Sequence, residues 1–387
     1  MDYHRVKILR EDPLKITRLV GCDIFDHPVV RVVLKFILVY YVAMTFFQIF
    51  YSMYYLEVSQ ITGYGPFLLM YPFFIICIIT HLHGNYLLNA IQSVEESWSV
   101  DCAGKDVQAR IVKESSIINA YAIANTILCF VAVVVFICPS NSDDPVLFPM
   151  KTFQERFPHQ TLVLAWTFKL TTLVLSYVVP ASCYRTIHTI QYWKFQICLL
   201  NKYVEALTDD YAGHERDLFY DLEYQERLSA RIKFCIKRHG QLIRVSSEST
   251  KIMQDYIVPY TTCGCLSGVG VSLLLLKFLG EGPSALWRCA PLTIASAITF
   301  SGVAVAGQTL ETEVATESEE ILMKLVMQKW YNWNAANKKM LLIAMANSMS
   351  PLQVKFSETF IINFRLGLGV CKMVYSVVSV FMSVFNK

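Results

Sequence analysis

No Asn-x-Ser/Thr sequon occurs in the 387 residues, so nothing in the chain supports N-linked glycosylation. A P-loop, a nucleophile elbow, a His-Glu-x-x-His pair and a paired-carboxylate site with supporting context are all missing, which leaves enzyme activity without a motif to carry it. Internal repeats and low-complexity tracts are absent too, and with them the corresponding halves around a central ionisable site that mark many transporters. The N-terminus is polar through about Pro28 and lacks the basic, apolar and small-residue order of a cleaved signal peptide, so membrane insertion is expected to begin at the first apolar run. A net charge of +3 is too small to imply nucleic acid or an acidic substrate. No cofactor is expected.

Apolar sequence is what the chain has in excess: hydrophobic residues make up 54% of it, against about 45–50% for soluble domains. Twelve cysteines are present, but Cys77, Cys129, Cys183, Cys263, Cys265, Cys289 and Cys371 fall in or beside apolar runs, and only Cys138 borders a gap expected outside. They read as small core residues, and Cys263-x-Cys265 has no second Cys or His pair to complete a zinc site.

Seven apolar runs are long enough to cross a bilayer, and the gaps between them alternate between cation-rich and cation-poor. Spans are expected at about Val32–Leu56, Pro66–Ala90, Ile117–Ile137, Thr161–Thr186, Met253–Leu279 and Ala285–Ala306, followed by a final segment after Pro351. Arg5, Lys7, Arg10, Lys15, Arg18 and Arg31 precede the first span, whereas the gap from Glu57 to Gly65 has no cation. Lys105, Arg110 and Lys113 follow the second span. The turn-rich loop from Pro139 to Pro145 leads to a stretch whose only cations are Lys151 and Arg156.

The expected fold is an all-α polytopic membrane protein with seven transmembrane helices, N-terminus inside and C-terminus outside, with helical cytosolic extensions. Residues 1–31 form a cytosolic N-terminal segment and 32–306 the bundle of spans one to six. Within the bundle, 187–249 is a cytosolic helical extension; 307–350 is a cytosolic helical region and 351–387 the final helix. Apolar positions Leu228, Ile232, Cys235 and Ile236 at helical spacing, and Ile321, Leu325, Met327, Trp330 and Trp333, give the two polar stretches something to pack. That order of termini is opposite to a seven-span metabotropic receptor, which remains the alternative, followed by a transporter.

The last span carries a polar face. Glu358, Arg365 and Lys372 recur at heptad spacing, and Lys372, Ser376, Ser379 and Ser383 continue at i, i+4, i+7 and i+11. Beside it lies an apolar ridge of Met373, Val377 and Val380. A ring of such helices would line a water path with an apolar constriction; packing of the polar face on neighbouring spans is the other reading. His81 and His83 are not spaced for a metal on one helix face and read as structural. Lys169, at membrane depth, either snorkels or meets a polar ligand group.

The stretches LSARIKFCIKRHGQLIRVSSESTKIMQDYIVPY and GQTLETEVATESEEILMKLVMQKWYNWNAANKKMLLIAMANSMSPLQVKF resemble the insect odorant receptor family, with Gly307, Glu317, Ser318, Trp330, Leu341 and Pro351 carrying the match and Thr359 and Phe360 opening the final helix. The resemblance covers roughly the C-terminal two fifths. The family's Ser-Tyr pattern is replaced by Gly367-Leu-Gly369-Val, the Thr-Tyr and Gln-Phe signature of the gustatory sister family is missing, and so is the coreceptor's long internal insertion. The resemblance therefore implies a ligand-tuning subunit of an odorant-gated nonselective cation channel. Its partners would be a small volatile odorant, coreceptor subunits in a heterotetramer, membrane lipid and permeant cations, in the plasma membrane of olfactory sensory neuron dendrites. It also implies that the final helices line the pore, with Met373 and Val377 at the gate, Ser376 near the filter and Val380 on the same ridge. The family's pocket lies in the outer half of the bundle, for which the candidates here are Tyr71 and Phe74, Cys129 and Phe130, Trp166, Leu170 and Leu173, and Thr299 and Phe300. None of these is fixed by a motif.

Overall fold

A computed structural model of the chain describes residues 12–55, 58–83, 98–138, 148–209, 218–281, 283–349 and 363–385. The expected cations Arg5, Lys7 and Arg10, the end of the second span at Ala90, the turn from Pro139 to Pro145, and Pro351, Glu358, Thr359 and Phe360 lie outside those residues.

In hydrocarbon every backbone N–H and C=O must be paired within its own segment, which makes helix the available state for long apolar runs whatever their β-branched content. Eleven α-helices follow among the described residues: α1 Lys15–Gly21, α2 Pro28–Tyr55, α3 Val58–His83, α4 Lys105–Ile137, α5 Phe148–Arg156, α6 Thr161–Glu205, α7 Leu222–Glu281, α8 Pro283–Thr309, α9 Ala315–Val326, α10 Ala335–Ser348 and α11 Phe364–Phe385. A π-helical turn, Leu310–Val314, joins α8 to α9. Six stretches are long and apolar enough to cross a membrane among the described residues, within α2, α3, α4, α6, α7 and the α8–α9 run. The final expected span corresponds to α11, whose 22 residues reach about 33 Å at 1.5 Å each, enough for a hydrocarbon core of about 30 Å.

Several helices run beyond the spans expected from hydropathy. Helix α6 is 45 residues long and α7 is 60, so both leave the bundle at the same end, called here the near end. The polar half of α6 is buried on nearly all sides from Ala181 to Val204. It forms the axis of a second helical cluster, with α1, the start of α4, α7 and α9 around it.

Burial of polar side chains is tolerated only when each finds a partner. His188 Nε2 donates to Asp12 Oδ2 at 3.0 Å. Asp12 lies outside the spans; its burial would raise the carboxyl, but His188 and the Leu14 N–H hold it below the usual carboxylate value. Lys194 Nζ donates to Glu114 Oε2 at 2.7 Å and also pairs with Glu313. Arg110 bridges Glu114 and Glu317 at 3.2 and 3.3 Å, and Asn201 Nδ2 donates to the Glu317 backbone oxygen at 2.7 Å. Gln196 accepts from Arg238 Nη2 at 2.6 Å and clasps the backbone of Trp98, whose ring stacks on Phe234.

The N-terminal helix is tied down in the same way. Thr17 donates to Asn119 Oδ1 from its N–H at 3.1 Å and its hydroxyl at 2.8 Å, while Asn119 Nδ2 returns a bond to the Pro13 oxygen at 2.9 Å. At the far end Arg288 Nη2 donates to the carbonyls of Phe136 and Cys138 at 2.9 and 2.7 Å, a cation placed on the exposed carbonyls of the α4 C-terminus.

Close helix approach in a bilayer needs small residues, because lipid tails are as apolar as Leu and only packing distinguishes the contacts. Gly270 on α7 is such a point: a Cβ there would stand 2.6 Å from the Pro66 carbonyl oxygen of α3. Gly270→Ala is expected to force the two helices apart and cost about 1–3 kcal/mol, read as a lower melting temperature of the purified protein in detergent. Lys194→Met removes the cation shared by Glu114 and Glu313 and leaves Glu114 only Arg110, at 3.2 Å. Allowing for the solvent that reaches Glu313, the loss should be about 1–3 kcal/mol, and Glu114→Gln in the same chain should restore part of it in the same melt.

A cavity between six helices and the helix behind it

Inside the bundle α3, α4, α6, α7, α8 and α11 border a cavity of about 720 Å³. Its origin is compositional. Gly264, Cys265, Ser267 and Gly268 on α7 face Ala295, Ser296 and Thr299 on α8, and side chains this small cannot fill the space between helix axes about 8–10 Å apart. The opposite walls are aromatic, with Phe67, Tyr71, Phe73 and Phe74 from α3, Phe136 from α4 and Phe168 from α6.

Several polar groups at and just behind the wall are bonded to one another, whereas the buried Tyr71 hydroxyl in the wall has no hydrogen-bond partner among the described residues. Asn125 Nδ2 donates to Tyr184 Oη and to Thr299 Oγ1, both at 3.0 Å, and Thr299 Oγ1 donates to the Ala295 oxygen at 2.8 Å. Cys129 Sγ lies 3.7 Å from Thr299 Oγ1, and Tyr260 Oη lies 3.5 Å from Cys183 Sγ. With these bonds made, the wall is predominantly apolar, the Tyr71 hydroxyl aside.

Below it, His81 is fully buried and held from both sides of its ring. Arg185 Nη2 lies 3.0 Å from Nδ1 and Nη1 donates to the Thr80 oxygen at 2.8 Å. A guanidinium has no acceptor, so Nδ1 accepts and Nε2 carries the proton, which it donates to the Val178 oxygen at 3.1 Å beside Ser182. Phe25 stacks on the ring at 3.8 Å, tying the N-terminal segment to the floor of the bundle. His83 is exposed and bonded locally to the Ile79 oxygen, so the two histidines share no site. No group of His, Cys, Asp and Glu that could hold a metal ion exists among the described residues.

Of the pocket candidates read from sequence, Tyr71, Phe74, Cys129, Thr299 and Phe300 line the cavity. Phe130, Trp166, Leu170 and Leu173 do not; Trp166 is 56% exposed on the outside of the bundle. The reason is helical phase. Trp166, Leu170 and Leu173 form one stripe of α6, whereas Phe168, Thr172, Leu175 and Val179 form the stripe on the opposite side that meets the cavity. Both stripes are apolar, so hydrophobicity did not separate lipid-facing from cavity-facing. Lys169 is half-buried and off the cavity.

Helix α11 is two-sided. Its ridge of Gly367, Val370, Val374 and Val378 faces the cavity, and at 100° per residue Met373, Ser376 and Val380 project the other way, with Val377 on the flank. Met373, Ser376, Val377 and Val380 are all exposed in the single chain, as is Lys372 beside Ser376. Within the Gly367-Leu-Gly369 departure, Gly367 lies against α8, where a Cβ would stand at ordinary contact distance, 3.6 Å, from Ala304 Cβ, while Gly369 has nothing within 4 Å; on α7 a Cβ at Gly268 would likewise stand 3.6 Å from Val374, so α11 rests on both helices at these points. Asn363 caps α11, accepting from the Leu366 N–H at 2.9 Å, and its Nδ2 donates to Glu311 of the π turn at 2.9 Å. Reading the sequence for chemistry missed this seam. Its only signal was the Gly264-x-x-x-Gly268 spacing and the Val370–Val374–Val378 ridge.

The 7tm Odorant receptor family profile matches residues 70–375. Two solved structures of the insect olfactory receptor OR5 from Machilis hrabei share the fold, each at 10% identity and covering 96% of this chain and 97% of theirs. The one solved with eugenol aligns with a TM-score of 0.68 and the one without it at 0.66. No curated protein sequence matches the chain. With the profile spanning most of its length over a bundle of apolar helices, this multi-pass membrane protein belongs to the 7tm odorant receptor family, and is a receptor rather than an enzyme.

Proposed function

We propose that this odorant receptor is the ligand-tuning subunit of an odorant-gated, nonselective cation channel, assembled with coreceptor subunits in the plasma membrane of olfactory sensory neuron dendrites. A small volatile ligand occupies the cavity, with Tyr71, Phe74, Cys129, Thr299 and Phe300 in its wall. Helix α11 carries the gate at Met373, Ser376, Val377 and Val380. The N-terminus lies inside, a reading supported by Lys15, Arg18 and Arg31 at the near end. The apolar surface left exposed on α10 and on the connection from α9 to it, with Met327, Trp330 and Leu342 among them, is the surface offered to neighbouring subunits.

The observation that carries this reading is the position of α11, one side against the cavity and the other exposed beside Lys372, Ser376 and Ser379. A ligand shifts a gate only by its difference in affinity for the closed and open states. Here the difference has a physical source, since the cavity wall includes the α11 ridge and moving α11 changes the space the ligand fills. OR5 was solved with eugenol, a small aromatic molecule, and the aromatic wall here suits a ligand of that kind.

Co-expression with an insect coreceptor and whole-cell recording over a panel of volatiles should give inward cation currents. In the same cells, Val377 replaced by Ser or Phe should change conductance or basal opening severalfold, and unchanged currents across that series would remove α11 from the pore. Phe300→Ala should weaken or reorder ligand responses by about tenfold or more, equivalent to about 1.4 kcal/mol of lost contact. Trp166→Ala, on the outer stripe of α6, should leave the ligand ranking intact.

A further inference from the structure

The cavity is not closed on every side. On α8, Ala297 and Phe300 line it and are exposed; on α11, Cys371 and Tyr375 do the same, Tyr375 being 75% exposed. A residue that touches the cavity while most of its surface is free stands at a rim. Helical phase locates that rim. Gly367 meets Ala304 and Phe300 of α8, Val374 meets Gly268 of α7, and Cys371 and Tyr375 lie around the helix on the α8 side of that ridge. The gap is therefore between α8 and α11. It sits near the middle of both helices, Pro283–Thr309 and Phe364–Phe385; on its α8 side, away from the Lys372, Ser376 and Ser379 face of α11, the exposed residues are the apolar Ile294, Ile298 and Val305, and the medium against such a face at that depth is hydrocarbon rather than water.

We propose that the ligand enters and leaves the cavity sideways, from the hydrocarbon of the bilayer, through a portal between α8 and α11 bounded by Ala297, Phe300, Cys371 and Tyr375, with the Tyr375 ring as its cover. This rests on the reading of the cavity as the ligand site. The class of ligand follows from the route: neutral and predominantly apolar, because such molecules accumulate in the bilayer in proportion to their apolar surface. A permanently charged molecule is rejected before it reaches the receptor, since crossing hydrocarbon as an ion is too costly. The consequence for kinetics is specific. A portal sets the height of a barrier but not the free energies on either side of it, so narrowing it slows association and dissociation by the same factor and leaves the dissociation constant alone. A residue that grips the bound ligand changes the dissociation constant instead.

The test uses the full chain in phosphatidylcholine nanodiscs and 1-aminoanthracene, a neutral apolar fluorophore, followed by stopped flow with protein-free nanodiscs subtracted. Ala297→Trp should slow both rates by about tenfold with the dissociation constant unchanged within about twofold, and Tyr375→Ala should speed both. A second handle needs no large substitution: in a chain whose other cavity cysteines, Cys129, Cys183 and Cys265, are replaced by Ser, benzyl methanethiosulfonate, which reaches thiols through the membrane, should slow both rates, and the same chain carrying Cys371→Ser should be unaffected. Rates unmoved by all three changes would overturn the portal, as would changes confined to dissociation with a matching loss of affinity. Phe74→Ala reports on the cavity itself. If it leaves 1-aminoanthracene binding untouched, or if the native chain does not bind the probe, the cavity reading falls and the portal with it; weakened binding with unmoved portal kinetics rejects the portal alone.

Discussion

Helix α6 leaves the apolar bundle carrying Arg185, His188, Gln191, Lys194, Gln196 and Asn201, and meets almost no solvent there. Polar groups in such a place cost several kcal/mol each when unpaired, so much of the near-end architecture supplies partners for this one helix. Asp12 comes from the N-terminal segment, Glu114 from the start of α4, Arg238 from α7, and Glu313 and Glu317 from the run after α8. Four stretches far apart in sequence are thereby fixed around a common axis. The apolar half of the molecule, by contrast, is held mainly by packing, which is less directional and tolerates small displacements.

That division places rigidity and freedom at opposite ends. The near end is a lattice of directed bonds, whereas the cavity is bordered by glycines, alanines and serines with unfilled space between them. Helix α11 touches both regimes: its first turn is tied to Glu311, and its remaining turns rest on the seam of Gly367, Gly268 and Val374. A helix pinned at one end and loosely seated along its length pivots more readily than it translates. On the proposed reading, a ligand in the cavity would press on the seated part, where little directed bonding opposes it.

Legibility in the sequence followed the length scale of the physics. Apolar runs located the spans because a bilayer imposes a minimum length, and the polar face of α11 was visible because lipid does not tolerate Lys372 beside Ser376 and Ser379. The inward stripe of α6 was not visible, since Phe168, Thr172 and Leu175 look no different from Trp166, Leu170 and Leu173 without knowledge of neighbours. Nor could the burial of the α6 extension on nearly all sides be read locally: IHTIQYWKFQICLLNKYVE reads as a helix that continues or packs beneath the membrane, but the polar residues on its remaining faces find their partners only when Asp12, Glu114 and Glu317 arrive from elsewhere. Gly268 and Gly367 carry no chemistry at all, and their role exists only as a distance between helices.

The five-residue π turn at Leu310–Val314 repays a closer look. Glu311 and Glu313 are two positions apart and therefore point in nearly opposite directions, one toward the cap of α11 and the other toward Lys194. A π turn is a helix with one residue more than regular geometry needs. Deleting that residue would not shorten a loop; it would rotate everything downstream by about 100°, swinging Glu317 away from Arg110 and Asn201 and turning the whole of α9 onto the wrong neighbours. The length of this segment is therefore constrained as tightly as its composition, since the partners of Glu311, Glu313 and Glu317 all depend on the register that the extra residue sets.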